Sequence, residues 1–158
     1  MIDRVYRGFA ENANGAESIT VCGNKITGMW VNGCYYKQTL YYGDNDEEHF
    51  IITSSECLTY DQALEYKRVI PETLGQCSTI PDKNGVILFE GDIVQAAING
   101  GTWDAFKFPL GVITFKNGAF GIQDKKLFTP LCSYSPRVSF EKLGDIFSNP
   151  DLLEEVEK

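Results

Sequence analysis

At 158 residues, with 43% hydrophobic and 13% aromatic side chains, the chain holds enough apolar material for one ordinary globular domain and lies well outside the compositions that stay disordered. A formal charge of -8 weighs against binding a phosphate backbone, which needs a basic footprint to displace counterions. No apolar run approaches the roughly 18 residues of a membrane helix, and Met1-Ile2-Asp3-Arg4 opens with charges, so a soluble cytoplasmic protein without a membrane partner is expected.

Asn-Gly dipeptides are the clearest local punctuation, because both residues tolerate the positive φ of a two-residue hairpin. Asn32-Gly33 predicts a first hairpin between Ile26–Val31 and Cys34–Leu40, with Cys22 and Cys34 as flanking strand residues. Asp44-Asn45-Asp46-Glu47-Glu48 reads as an exposed loop between Tyr41-Tyr42 and the strand Phe50-Ile51-Ile52. Thr59-Tyr60-Asp61-Gln62 has the form of a capping box ahead of a helix running to Arg68. Beyond it Pro71, Gly75 and Pro81 interrupt regular structure, with Gly75 available for a positive φ and Gln76 able to pin the loop to a sheet.

Asn84-Gly85 leads into Val86–Phe89, and a strand beginning near Asp92 carries Val94, Ala96 and Ile98 on one face as far as Asn99-Gly100-Gly101. Asn117-Gly118 predicts a second hairpin, between Gly111–Phe115 and Ala119–Ile122. Asn149-Pro150-Asp151 places a cap, a first-turn proline and an early acid before a closing helix that holds Leu152, Leu153 and Val156. The expected fold is mainly β: a single domain in which an antiparallel meander plus helix, residues 1–70, packs on a small SH3-like barrel plus C-terminal helix, residues 71–158. Closure into a barrel would remove the unpaired edges of an open sheet.

Five cysteines form no CxxC pair, which reads as free thiols in a reducing compartment. The acid cluster at 44–48 departs from a calcium loop, with His49 where the sixth-position glycine belongs and Ser55 where the twelfth-position glutamate belongs. His49 is the sole histidine, and no nucleophile elbow, P-loop or HExxH accompanies it; a histidine at a strand entrance making one backbone contact is the plain reading. No metal and no cofactor is therefore expected. In Glu90-Gly91-Asp92, Gly91 permits a bend and Asp92 can hydrogen-bond a nearby turn; the competing reading makes Glu90 and Asp92 an acid–base or metal pair.

Pro71-Glu72-Thr73-Leu74-Gly75-Gln76, Asp82-Lys83-Asn84-Gly85 and Phe89-Glu90-Gly91-Asp92-Ile93-Val94 resemble, in that order, the PETxGQ, DKNG and EGDIV runs of the phage-associated YopX family. Gly28–Gly33 and His49–Ile52 are similar to its N-terminal strands, and Gly144–Leu153 to its closing run. The chain departs from that pattern at Cys77, Thr79 and Pro81, where an aromatic, a glycine and a lysine are more usual. The resemblance implies a phage or prophage protein of the host cytoplasm and names no reaction.

Within the family block, Glu72, Gln76, Glu90 and Asp92 are the candidate binding residues, and no catalytic residue is assigned. Trp30, Tyr35, Tyr36, Tyr41 and Tyr42 concentrate aromatic surface in the N-terminal sheet, where alternation exposes some of them unless another subunit covers them. That points to homo-oligomerisation, or to a host or phage protein as partner. Two alternatives stay open: nucleic-acid binding through the barrel and Phe89, Trp103 and Phe106, and a carboxylate-dependent enzyme built on Glu72, Glu90, Asp92 or His49.

Overall fold

Strands account for nearly all regular structure in a computed structural model that describes residues 5–11, 17–39, 47–53, 66–98 and 106–154. The chain divides into two compact units, residues 1–77 and 78–158.

The first unit contains β1 (Val5–Glu11), β2 (Glu17–Val21), β3 (Asn24–Thr39), β4 (Glu47–Ile52), β5 (Tyr66–Arg68) and the start of β6 (Gly75–Pro81). Its strand order is β5-β4-β3-β1-β6, with β2 paired to β3. Ala10, Val31, Ile51 and Val69 form its buried cluster, with Tyr6, Met29 and Leu74 packed against them.

The expected hairpin at Asn32-Gly33 is absent, because β3 runs unbroken through both residues. Pairing overrides the turn preference: β1 holds β3 from Gly28 to Cys34, and β4 holds it from Cys34 to Thr39. Gly33 serves close approach instead, since a Cβ there would meet the main-chain oxygen of Ile52. The turn lies earlier, at Cys22 and Gly23 between β2 and β3, with φ of 49° and 81°. Cys22 is thus an exposed turn residue and not a strand residue. Of the predicted helix ending at Arg68, only Tyr66–Arg68 falls among the described residues, and these form β5 against β4.

The second unit holds the rest of β6, then β7 (Ile87–Phe89), which pairs with β6. It continues with β8 (Asp92–Ile98), β9 (Gly111–Lys116), β10 (Ala119–Gln123), β11 (Phe128–Pro130) and β12 (Val138–Asp145). The sheet order is β11-β10-β9-β8-β12, all antiparallel. The core combines Leu88, Val94, Ala96, Ile113, Ile122 and Leu131 with half-buried Phe108, Phe120, Tyr134 and Phe140.

Mainly antiparallel β is therefore the observed fold class, but among the described residues neither sheet closes into a barrel. Asn117-Gly118 does make the predicted hairpin, with φ of 53° and 80°. The predicted closing helix is one 3-10 turn over Pro150–Leu153, and Val156 lies outside the described residues. Asn149 makes no side-chain cap there; its amide sits where a Cβ on Gly144 would be.

Thr79, at one of the departures from the family pattern, has φ of 63°. A β-branched residue in the left-handed region carries roughly 1–2 kcal/mol of strain that glycine avoids. Thr79→Gly should therefore raise stability only slightly, by at most about 1 kcal/mol, once loss of the Oγ1–H donation to the Ser78 carbonyl and the added chain entropy of glycine are set against the relieved strain. Urea denaturation monitored by tryptophan fluorescence checks it; a lower midpoint would mean that Thr79 holds its turn by its side chain.

Candidate functional site

The three runs of the central block, followed atom by atom, lead to turns and their supports. In the first, Pro71–Thr73 is a 3-10 turn that leaves Glu72 exposed. Thr73 does the anchoring: its buried hydroxyl donates to the Ile70 carbonyl at 2.7 Å and accepts the Phe9 N–H of β1 at 2.8 Å. Gln76, expected to pin this loop, is a half-buried β6 residue opposite Tyr6. Gly75 opens β6 opposite Arg7 and is not among the positive-φ glycines.

In the second run, Asp82 closes the turn that Gly85 completes with φ of 83°. Its Oδ1 accepts the N–H groups of Asn84 at 2.7 Å and Val86 at 2.9 Å, while Oδ2 accepts the Lys142 N–H at 3.3 Å and the Asn84 amide at 3.4 Å. Burial is the largest single influence on this carboxyl and pushes its pKa up, but the Val86, Asn84 and Lys142 N–H groups and the Asn84 side chain together hold it below the ordinary value.

The third run turns at Gly91, with φ of 86°, so Glu90 stands in a turn and not on a strand face beside Asp92. Glu90 Oε1 accepts the Phe115 N–H at 3.0 Å. Asp92 is fully buried; Oδ2 accepts the Phe89 N–H at 2.9 Å, and Oδ1 is 2.9 Å from the Lys142 ammonium.

A bulge brings a further acid to the face of that ion pair. The β8–β12 register shifts between Lys142 and Gly144, so Lys142 and Asp145, three residues apart, oppose Val94 and Asp92 and share one face. Asp82 takes the main-chain N–H of Lys142 and Asp92 takes its side chain, which joins the second and third runs at one residue of β12. The C-terminal run joins them too, because Ile146 donates to the Gly91 carbonyl at 3.0 Å and buried Asp145 accepts the N–H groups of Phe147 and Ser148. Thr73, Lys142 and Asp145 were not singled out from the sequence, since nothing local marks a threonine or a mid-strand lysine as the partner of a residue sixty positions away.

The aromatic candidates of β3 separate by alternation. Tyr35 faces the unit's core side, where its hydroxyl lies 2.7 Å from His49 Nδ1 and its ring 5.4 Å from Tyr6. His49 thus contacts a side chain, and its carbonyl also accepts the Val69 N–H. Trp30 lies on the other face, edge-on to Phe9 and 4.5 Å beneath the Arg7 guanidinium. Tyr36 shares that face and is 51% exposed. Tyr41, Tyr42 and residues 44–46 lie outside the described residues; Glu47 and Glu48 form ion pairs with Lys37 and Arg68.

Register extends the Tyr36 face across the sheet. Val5, Cys34 and Ile52 form one cross-strand row, and Tyr36 and Phe50 the next. Val5 is 37% exposed, Cys34 is exposed, and Ile52 and Phe50 are half-buried. Of the aromatics considered for nucleic acid, Phe89 is buried, Phe106 is exposed and Trp103 lies outside the described residues. Among the described residues no cluster of three or more histidine, cysteine or acidic side chains forms a metal site, and no helix is long and apolar enough to cross a membrane.

Compared with known proteins, residues 27–154 match the family described as YopX protein. No curated protein and no solved structure matches the chain.

Proposed function

Because the chain belongs to the YopX family, and because the carboxylates of its EGDIV run serve main-chain N–H groups, we propose that this protein acts by binding, as a self-associating accessory protein of phage or prophage origin in the host cytoplasm. The observation that carries the reading is the apolar face of β1, β3 and β4. An antiparallel sheet with a solvated face ordinarily presents polar side chains there. Here Val5, Cys34, Ile52, Tyr36 and Phe50 stand in adjacent rows instead. A second copy of the same face is the simplest cover, since a two-fold interface joins one patch to itself. Apolar rows are also compatible with association of two copies that each carry a charge of -8 only if charged groups stay at the rim, as Arg68 and Glu48 do on β5 and β4.

The test is the native mass of the untagged protein across a wide concentration range, after nuclease treatment. A multiple of 17.7 kDa is expected. Tyr36→Lys should weaken association about 30-fold, the equivalent of about 2 kcal/mol for a central aromatic anchor, with thermal stability retained. A mass of one chain at every concentration would overturn the reading, and a nuclease-sensitive complex would replace it with nucleic-acid binding.

A further inference from the structure

A second surface lies wholly within residues 78–158 and has no part in the Tyr36 face. It is a cleft of about 490 Å³, within the roughly 300–1,000 Å³ of small-molecule sites. The β9–β10 hairpin places it: Val112 and Gln123 are the register pair farthest from the Asn117-Gly118 turn, and both line the cleft. Val112 pairs in turn with Ile93 of β8, which is fully buried, so this wall stands on a packed part of the sheet. Leu110 enters from the segment before β9 and Leu153 from the closing 3-10 turn. All three wall residues, Leu110, Val112 and Leu153, are half-buried, which gives the cleft an aliphatic lining that solvent still reaches.

The charged groups at the mouth already have partners. Asp124 Oδ1 accepts the N–H groups of Lys126 and Leu127, each at 2.7 Å. These two N–H groups hold its carboxyl below the ordinary value despite some burial, and the Lys126 ammonium adds to their effect. Lys125 is likewise engaged. A charged ligand group would therefore leave water here without a counter-charge to receive it, which is costly, whereas an uncharged one carries no such penalty.

One polar side chain of the lining keeps an end for a ligand. Gln123 Nε2 donates to the Asp124 carbonyl at 2.8 Å, and since a carbonyl only accepts, this bond decides which end of the amide is the nitrogen. The opposite end, Oε1, is a pure acceptor and suits a hydroxyl or an N–H. We propose that this cleft binds an uncharged small molecule with an apolar body and a hydroxyl or N–H group, the body resting on Leu110, Val112 and Leu153 and the donor meeting Gln123 Oε1. Apolar walls with few polar groups are the usual make-up of such sites, the walls supplying affinity and the polar group fixing orientation.

The experiment titrates the isotope-labelled full chain with 4-ethylphenol and with 1-hexanol, following backbone amide shifts. Each alcohol is run beside its methyl ether and beside the matching carboxylate, 4-ethylbenzoate or hexanoate. Saturable shifts at Leu110, Val112 and Gln123 are expected with at least one alcohol. Its ether, which lacks the donor, should bind about fivefold weaker, and its carboxylate more than about tenfold weaker. Gln123→Leu should bring the alcohol down to the affinity of its ether and leave the ether unchanged, a pattern that a merely structural role for Gln123 would not produce. Leu153→Trp should abolish binding by filling the cleft, and Leu110→Trp repeats the test from another wall if the first variant has a lowered thermal midpoint. The proposal is overturned if neither alcohol gives saturable shifts at these residues, or if the ether or the carboxylate binds as tightly as its alcohol. Alcohol binding that Gln123→Leu or the folded tryptophan variant leaves intact overturns it equally.

Discussion

Asp92→Ala should destabilise the protein by about 3 kcal/mol, which for a chain of this size lowers Tm by roughly 6–12 °C. The figure follows from what the truncation strands. Asp92 is fully buried, accepts the Phe89 N–H at 2.9 Å and faces the Lys142 ammonium at 2.9 Å. Removing one partner of a buried pair costs about 3–5 kcal/mol, because the other charge is left uncompensated. The low end applies, since the Lys142 side chain is 24% exposed and its ammonium recovers some hydration. Asp92→Asn retains an acceptor for Phe89 and should lose less. Urea denaturation of both variants decides the matter: an Asp92→Ala midpoint equal to that of the parent would show that the carboxylate does not hold the turn and is available for chemistry.

Asp82→Ala comes next, at about 2–4 kcal/mol, because a buried carboxylate satisfying several N–H groups leaves them without an acceptor when it is removed. This group also makes a pH signature. Its pKa in the folded state lies below the unfolded value, so its charge contributes stability that is fully present above the ordinary carboxylate range, about pH 4, and is lost as pH falls through the folded pKa. The stability difference between the parent and Asp82→Asn should be constant from about pH 7 down to about pH 5 and then shrink on further acidification. A difference that grows on acidification would reverse the sign and show that burial, not the N–H groups, governs Asp82. Because Oδ2 reaches the Lys142 N–H of β12, the loss should also appear as faster hydrogen exchange at Lys142, far from residue 82 in the chain.

These two aspartates give the family block a physical reading. Asp82 and Asp92, ten residues apart, converge on Lys142, one through its main chain and one through its ammonium. Thr73 does comparable work in the first unit by bridging Ile70 and Phe9. The runs that identify the family thus set turn geometry, while the face proposed above to meet a second copy lies elsewhere, around Tyr36.

Much of the local structure was legible in the sequence. Asn117-Gly118 made its hairpin because the residues flanking it pair with each other, Gly91 took its positive φ, and Asp92 hydrogen-bonded a neighbouring turn, all properties of a few consecutive residues. β character was legible as well, through short apolar runs between turn residues. Tertiary structure decided the rest. Asn32-Gly33 carries the same dipeptide as the true hairpin, yet β1 and β4 pair on it and keep it extended, since ladder hydrogen bonds over sixteen residues outweigh one turn preference. Tyr66–Arg68 follows a capping-box sequence but is drawn into a strand by β4. Whether the second sheet closed depended on strand register, which no local pattern encodes, and among the described residues it stays open. Lys142 became the meeting point of two aspartates only because β12 pairs with β8, which sets it opposite Val94 on the Asp92 face and its N–H beside Asp82, and Asp145 reached that face only through the register shift after Lys142. Short-range preference selects turns and strands; which strands pair, and what their faces then meet, is determined by contacts between residues far apart in the chain.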